Sequence, residues 1–283
     1  KEKRRTLIAL MIPQFMVVIN LAIVNVALPA IRESFDAPAD LMAWVVTIYT
    51  LPYIALMPLY GRLGDDLGAG RMLMVGAALF LTGTAINLLS QSLPLLLLGR
   101  FVQGLGAGGV APLAITMICS VFSTETRGRA LGQWNSIGPV TSVVGSLAGG
   151  FIIDSLGWRS IFFLPIVAGA VTIAMVQRTM RSPERHEHSD ALHALDWTGV
   201  LLLSATLTAL LFYITSRPIT GRPPLTDWRL LLATILLLVG FVWHEQRVAE
   251  PFIDLSILSD DIYRKASISA ATRMFVMSSS GFL

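Results

Sequence analysis

Arg100 is the residue of this sequence whose surroundings most favour a chemical role. It lies within the apolar run Leu93–Val121, which is long enough to cross a membrane. An arginine inside a membrane costs about 2.5–3.5 kcal/mol on insertion scales, and such residues generally mark functional sites. The alternative is that the long side chain extends to the outer membrane surface. At this depth in the run we expect a functional arginine.

Amide side chains interrupt the first apolar run of the chain. These residues are Gln14, Asn20 and Asn25. Uncharged amides in a membrane helix usually face other helices or a water-filled cavity. Two interpretations therefore remain open, namely contact with a substrate and hydrogen bonds to a neighbouring helix.

The segment between the second and third apolar runs combines glycines with charges. Gly61 and Gly68 permit close helix approach and a tight turn. Asp65 can face the positive end of a neighbouring helix, an attraction of about 0.3–1 kcal/mol when exposed. Arg71 can pair with a carboxylate. An ordinary charged turn explains the same residues, so both interpretations remain open.

The fifth apolar run carries a stripe of small residues. Its members, with one adjacent proline, are Gly138, Pro139, Gly145, Gly149 and Gly150. Small residues at such spacing let two membrane helices cross closely. The spacing favours plain helix packing over a further role.

Composition sets the class of protein that must position these residues. Of 283 residues, 54% are hydrophobic and only 14% are charged. Soluble domains carry about 25% charged residues, so a chain this apolar is a membrane protein. The apolar runs are near the length of a spanning helix, and they lack the alternating pattern of a barrel strand. We therefore predict an all-α membrane protein.

The apolar runs predict eight complete spans and the start of a ninth. Their expected bounds are Leu7–Ile31, Met42–Leu63, Met72–Leu89, Leu93–Val121, Ala130–Ile153, Ser160–Val176, Trp197–Ile214 and Trp228–Val248, then Ala266 onward. The sequence has no initiator Met and stops within an apolar stretch, so we expect both ends to be truncated. No cleavable signal peptide is evident, because the first apolar run is too long.

Basic residues predict the orientation in the membrane. With the amino terminus in the cytoplasm, 14 of the 21 Lys and Arg residues fall on the cytoplasmic side. The bias is weak only between the seventh and eighth spans, where three Arg residues face outward. We expect a multi-pass protein of the plasma (inner) membrane with a cytoplasmic amino terminus.

Several functional classes find no support in the residues. His186, His188 and His193 lie in a polar stretch that we interpret as a solvated linker, with no metal site. Cys119 is single, so no intrachain disulfide forms. No nucleotide-binding loop and no nucleophile–base set can be assembled, so we expect neither a primary pump nor an enzyme. We expect no cofactor and no nucleic-acid partner.

Four segments together resemble the major facilitator superfamily, specifically its drug:proton antiporters with fourteen spans. The similar segments are Ile23–Pro29, Gly61–Arg71, Arg100–Gly104 and Gly145–Gly150. The resemblance implies three parts. These are a six-helix transport bundle (1–178), a cytoplasmic linker with two extra spans (179–265), and the start of a carboxyl-terminal bundle (266–283). That missing bundle, the lipid bilayer and a lipophilic small molecule would be the partners.

The resemblance also implies roles for individual residues. Arg100 would interact with coupling groups or substrate, and Asn20, Asn25 and Gln103 would line the substrate cavity. The gating motif, with Gly61, Asp65, Gly68 and Arg71, would close the cytoplasmic side. This sequence departs from the family pattern at several positions. The family often has an acid at Asn20, basic residues at Asp66, Ala69 and Gly70, and a proline at Ser146.

Our leading hypothesis is a secondary transporter that exports hydrophobic or amphipathic compounds by alternating access, with the proton gradient as its energy source. No acidic residue lies near the centre of a spanning run, whereas proton relays in membranes ordinarily contain a buried titratable group. An uncoupled exporter, or one for lipids or metabolites, therefore stays open. A non-transporting membrane interaction protein or a defective half-transporter is the third possibility.

Overall fold

A computed structural model describes residues 2–179, 196–215, 225–248 and 260–280. Eleven α-helices and one short 3₁₀ helix make up the regular structure of these residues, and they contain no strand. In chain order the α-helices, numbered α1 to α11, are Glu2–Phe35, Ala39–Ala55, Met57–Leu67, Ala69–Leu88, Leu93–Ala107, Val110–Val121, Thr124–Leu156, Phe163–Thr179, Trp197–Thr215, Trp228–Glu245 and Asp261–Ser280. The 3₁₀ helix Trp158–Phe162 precedes α8. The prediction of an all-α fold is confirmed.

The number of spanning helices agrees with the apolar runs. Within the described residues, seven helical segments are long and apolar enough to cross a membrane, and α5 with α6 (Leu93–Val121) counts as one of them; a bent pair brings the total to eight. That pair is α2 and α3, which meet at an angle of 42°. Pro58, in the first turn of α3, lacks the N–H that would donate to the carbonyl oxygen of Ile54 in a continuous helix. The predicted eighth span corresponds to α10. The predicted start of a ninth span corresponds to α11, which is not among the eight candidate membrane spans.

Gly68 makes the turn between α3 and α4 in a backbone conformation that other residues rarely adopt. Its φ is +93°, a region in which a Cβ atom clashes with the backbone. The predicted gating motif therefore contains a turn at Gly68 that only glycine makes without strain.

The first eight helices pack into a bundle around α1 and α5. α1 packs against α7 and α8, while α5 packs against α4 and α2. Pro13 interrupts the hydrogen bonds within α1. Near this point the indole Nε1 of Trp134 on α7 donates to the carbonyl oxygen of Leu10, at 3.0 Å. A neighbouring helix thus bonds to the backbone around the proline, as membrane helices require.

The pair α9 and α10 packs together and lies against α2. The rings of Trp44 on α2 and Phe212 on α9 meet edge to face, with centroids 5.0 Å apart. Asp196, just before α9, lies 2.9 Å from Nε2 of His244 at the end of α10. These contacts tie the two helices to each other and to the bundle. The three-part division of the chain stays a prediction.

Candidate functional site

Arg100 lies on α5 at the centre of a polar cluster and is completely buried. Its Nε donates to the carbonyl oxygen of Val45 on α2, at 3.0 Å. Its Nη1 donates to Oδ1 of Asn20 on α1 at 2.6 Å, and to Oε1 of Gln103 at 2.9 Å. The ring of Tyr49 covers the guanidinium, with 4.1 Å between Cζ and the ring centroid. Three helices thus converge on one charged group.

Two residues of α4 extend this cluster to a fourth helix. Nε2 of Gln103 donates to Oγ1 of Thr84 at 2.7 Å, and Nδ2 of Asn87 donates to Oε1 of Gln103 at 2.8 Å. Thr84 in turn donates to the carbonyl oxygen of Phe80 on its own helix. Thr84, Asn87 and Gln103 are all fully buried. We call the set Asn20, Thr84, Asn87, Arg100 and Gln103 the polar network.

Glycines bring α4 and α5 close enough for these bonds. A Cβ atom at Gly83 would lie 2.6 Å from the carbonyl oxygen of Gly99, a distance that real Cβ atoms do not reach. A Cβ atom at Gly99 would overlap the side-chain amide of Asn87. The polar network therefore depends on a contact between backbones that larger residues would prevent.

The charge of Arg100 is held entirely by neutral groups. Its acceptors are one backbone carbonyl and two side-chain amides, and no described carboxylate lies within 4.0 Å of it. A buried charge is normally paired, since transfer from water is costly. The aromatic face of Tyr49 contributes a cation–π attraction, which is worth about 2 kcal/mol or more when desolvated.

The structure brings together three of the four residues named for coupling and substrate contact. Asn20 and Gln103 both bond Arg100, whereas Asn25 is exposed on α1, away from the polar network. Thr84 and Asn87 were not predicted. Asn87 could have been suspected from its type, because an amide within the third apolar run needs a partner.

The predicted gating residues lie on and beside the α3–α4 turn. Gly64 is buried, and a Cβ atom there would overlap the side chain of Leu113 on α6. Asp65 and Arg71 are both exposed, and neither forms an ion pair with another described residue. Asp66 instead forms an ion pair with Arg62, one helical turn earlier, with 3.5 Å between Oδ2 and Nε.

The predicted packing glycines of α7 divide into two groups. A Cβ atom at Gly145 would lie 2.9 Å from Cβ of Ala22, and one at Gly149 would lie 3.4 Å from Cγ1 of Ile23. These two glycines therefore allow the close contact of α7 with α1. Gly138 and Gly150 have no other side chain within 4 Å of where a Cβ atom would lie. Pro139 lies inside α7.

A metal site is not found in the described part of the chain, where no three His, Cys, Asp or Glu residues are grouped suitably. His186, His188 and His193 lie outside the described residues.

Comparison with known proteins identifies relatives of the same architecture. Residues 10–259 match the sequence profile of the Major Facilitator Superfamily. The drug efflux pump JefA of Mycobacterium tuberculosis is 31% identical over 94% of this chain and 52% of its own length. The multidrug resistance protein Stp of the same organism is 30% identical over 96% of this chain and 50% of its own length. The chain thus spans about half the length of both relatives.

Among solved structures, the POT family transporter PepTSo has a TM-score of 0.58 with this chain. The sequences are 17% identical, and the match covers 85% of this chain and 52% of PepTSo. At this identity the likeness shows a shared fold.

Proposed function

The chain belongs to the Major Facilitator Superfamily, and on that premise we propose that it forms the first bundle of a secondary active exporter. The compounds exported are hydrophobic or amphipathic, the mechanism is alternating access, and protons supply the driving force. The protein lies in the plasma (inner) membrane with its amino terminus in the cytoplasm. Members of the superfamily are transporters, which agrees with the expectation that the chain is not an enzyme.

The observation that carries this proposal is the buried charge of Arg100 within the polar network. Three helices, α1, α2 and α5, supply groups to one guanidinium, and α4 joins them through Gln103. A charge inside a membrane bundle is costly and is retained at sites of substrate or ion passage. A change in the partners of Arg100 would affect α1, α2 and α5 directly and α4 through Gln103, which suits a coupling residue.

The substrate class is proposed from the relatives. JefA is described as a drug efflux pump and Stp as a multidrug resistance protein. Export of lipophilic compounds by this chain follows by analogy. Under this proposal Asn20 and Gln103 position Arg100, and Asn25 offers an exposed amide to a substrate.

The α2–α3 bend and the α3–α4 turn fit the proposed gate. A span that is already bent by 42° and a glycine turn at Gly68 can reorient without breaking a continuous helix. Asp65 and Arg71 are exposed beside this turn and are available to contact the second bundle. Residues 179–265 would then connect the two bundles through the extra pair α9 and α10.

A second candidate, an exporter without proton coupling, is favoured by one observation. The residue that bonds Nη1 of Arg100 on α1 is an amide, Asn20, and an amide cannot carry a proton on and off at physiological pH. An exporter of lipids or metabolites is compatible with the same site. A non-transporting interaction protein would have no need of the buried charge.

Proton flux coupled to substrate in liposomes tests the proposal. The longer protein that contains both bundles is reconstituted, a pH gradient is imposed, and lipophilic compounds are added. Proton movement that depends on substrate is the expected result. Substrate transport without proton movement would favour the uncoupled exporter, and no transport of any compound would contradict both.

A further inference from the structure

The polar network leaves hydrogen-bond donors without acceptors around the Arg100 guanidinium. Nη2 of Arg100, Nδ2 of Asn20 and Oη of Tyr49 are buried and have no partner among the described residues. Nδ2 belongs to the same amide whose Oδ1 bonds Arg100, and the Tyr49 ring lies on the guanidinium. All three orphan groups can donate, and each stays costly while it lacks an acceptor.

The positive charge of Arg100 is likewise not balanced by its partners. A guanidinium cannot lose its proton in a protein, so the positive charge of Arg100 persists in every state. Its present acceptors are neutral. Water could satisfy the orphan donors, but only a negative group would also neutralise the charge.

We propose that Arg100 and Asn20 form a binding site for an anionic group. Nη2 of Arg100, Nδ2 of Asn20 and Oη of Tyr49 donate to it. The group is a carboxylate of the transported compound or a small inorganic anion such as chloride. Both accept several charge-assisted hydrogen bonds and neutralise the guanidinium.

Access to this site depends on conformation. Arg100 is 0% exposed and Asn20 is 1% exposed, because α1, α2 and α5 close around them. The anion therefore enters when these helices separate, and it stabilises that conformation relative to the closed one. The carboxylate source rests on the proposed export function, whereas chloride binding requires no transport.

The replacement Asn20→Asp supplies the test, because it adds a carboxylate to the side chain that already bonds Arg100. The new carboxylate would balance the charge of Arg100 in place of a bound anion, so we expect anion binding to be lost. Asn25→Asp is the matched control, since it adds the same charge to the same helix at an exposed position.

The first measurement is the thermal unfolding temperature of the full-length protein during titration with sodium chloride, and separately with sodium benzoate. For the unsubstituted protein and Asn25→Asp we expect a saturable rise of a few degrees. For Asn20→Asp we expect a higher starting temperature and no saturable rise. General salt effects are common to all three proteins, so they do not mimic this pattern.

The two titrations distinguish a small inorganic anion from a carboxylate ligand. A rise with chloride alone identifies a small inorganic anion, and a rise with benzoate alone identifies a carboxylate ligand. No saturable rise with either salt, or an equal rise in Asn20→Asp, would overturn the anion site.

Transport measurements distinguish a failure of the anion site from a failure of the proposed function. In liposomes, an acidic compound should be exported at least tenfold faster than its amide analogue if the substrate supplies the anion, and Asn20→Asp should abolish that preference. Saturable chloride stabilisation without export of any compound would support the site and contradict the proposed function. Export of a compound, with no anion effect on stability and no preference for the acidic compound, would support the proposed function and contradict the anion site.

Discussion

The polar network around Arg100 and the gating segment, Gly61 to Arg71, are both rich in residues that could do chemistry. In the polar network, every member is buried and bonded to a residue on another helix or to a neighbour in the set. In the gating segment, Asp65 and Arg71 are exposed and form no ion pair with a described residue.

This difference indicates in which of the two regions a substitution can change function without changing stability. Buried charges and amides cost free energy whenever a partner is removed, so a substitution there changes both folding and transport. Exposed charges are screened by water, and the pairs that they form contribute about 0–1 kcal/mol. A substitution in the gating segment should therefore change transport with little effect on folding.

The largest effect is expected for Arg100→Ala. It removes the charge on which three helices converge, so we expect transport in the full-length protein to fall at least a hundredfold, while membrane insertion is retained. Uptake by inverted vesicles, normalised to the amount of inserted protein, measures this. Arg178→Ala is the control, because Arg178 is exposed at the end of α8. Unchanged transport in Arg100→Ala would exclude a coupling role.

Gly83→Ala should give the next largest effect, and it acts through the backbone. The added methyl group would lie 2.6 Å from the carbonyl oxygen of Gly99, so α4 and α5 must separate and the bonds to Gln103 must lengthen. We expect a loss of about 1–3 kcal/mol of stability, measured by thermal unfolding in detergent. Gly132→Ala, at a position with open space around it, should be neutral. Equal stability of the two variants would show that the close contact is not needed.

The comparison of Asn20→Ala with Asn25→Ala tests the two amides of α1. Asn20→Ala leaves Nη1 of Arg100 with Gln103 as its only side-chain acceptor, which should cost about 1–3 kcal/mol. Asn25 is exposed, so Asn25→Ala should change stability by less than about 0.5 kcal/mol. Thermal unfolding of both variants checks the difference. A larger loss in Asn25→Ala would contradict the assignment of the network.

The smallest effect on stability is expected for Asp65→Asn and Arg71→Gln. Both side chains are exposed, so each variant should unfold within about 0.5 kcal/mol of the unsubstituted protein. If the segment gates the cytoplasmic side, transport should still fall several-fold. Paired unfolding and transport assays test this, and unchanged transport in both variants would contradict a gating role for these charges.

Much of the fold was predictable because each spanning helix is defined locally. An apolar run of sufficient length must form a helix in lipid, whatever its neighbours are. The eight runs therefore correspond to seven helical segments, one of them α5 with α6, and one bent pair. The bend itself was not predicted. Pro58 was visible in the sequence, but proline is common in membrane helices, and its presence alone does not determine the angle of the bend.

The site was predictable only in part. Arg100 could be identified because its charge contradicts its apolar surroundings. Thr84 and Asn87 could not be assigned to it, since they lie on a different run and their polar groups are of ordinary kinds. Likewise, Asn20 and Asn25 are the same residue type on the same run, and only the packing of α1 places one inside and leaves the other exposed.

The sequence by itself determined the membrane class, the number of spans and the position of the unusual charge, because hydrophobicity and charge act residue by residue. Only the tertiary structure decided which polar groups meet and which stay exposed. Hydrogen bonds act over about 3 Å, so the bonds around Arg100 and in the polar network depend on how α1, α2, α4 and α5 pack. That packing follows from glycine contacts such as the one between Gly83 and Gly99, whose partners lie on different helices.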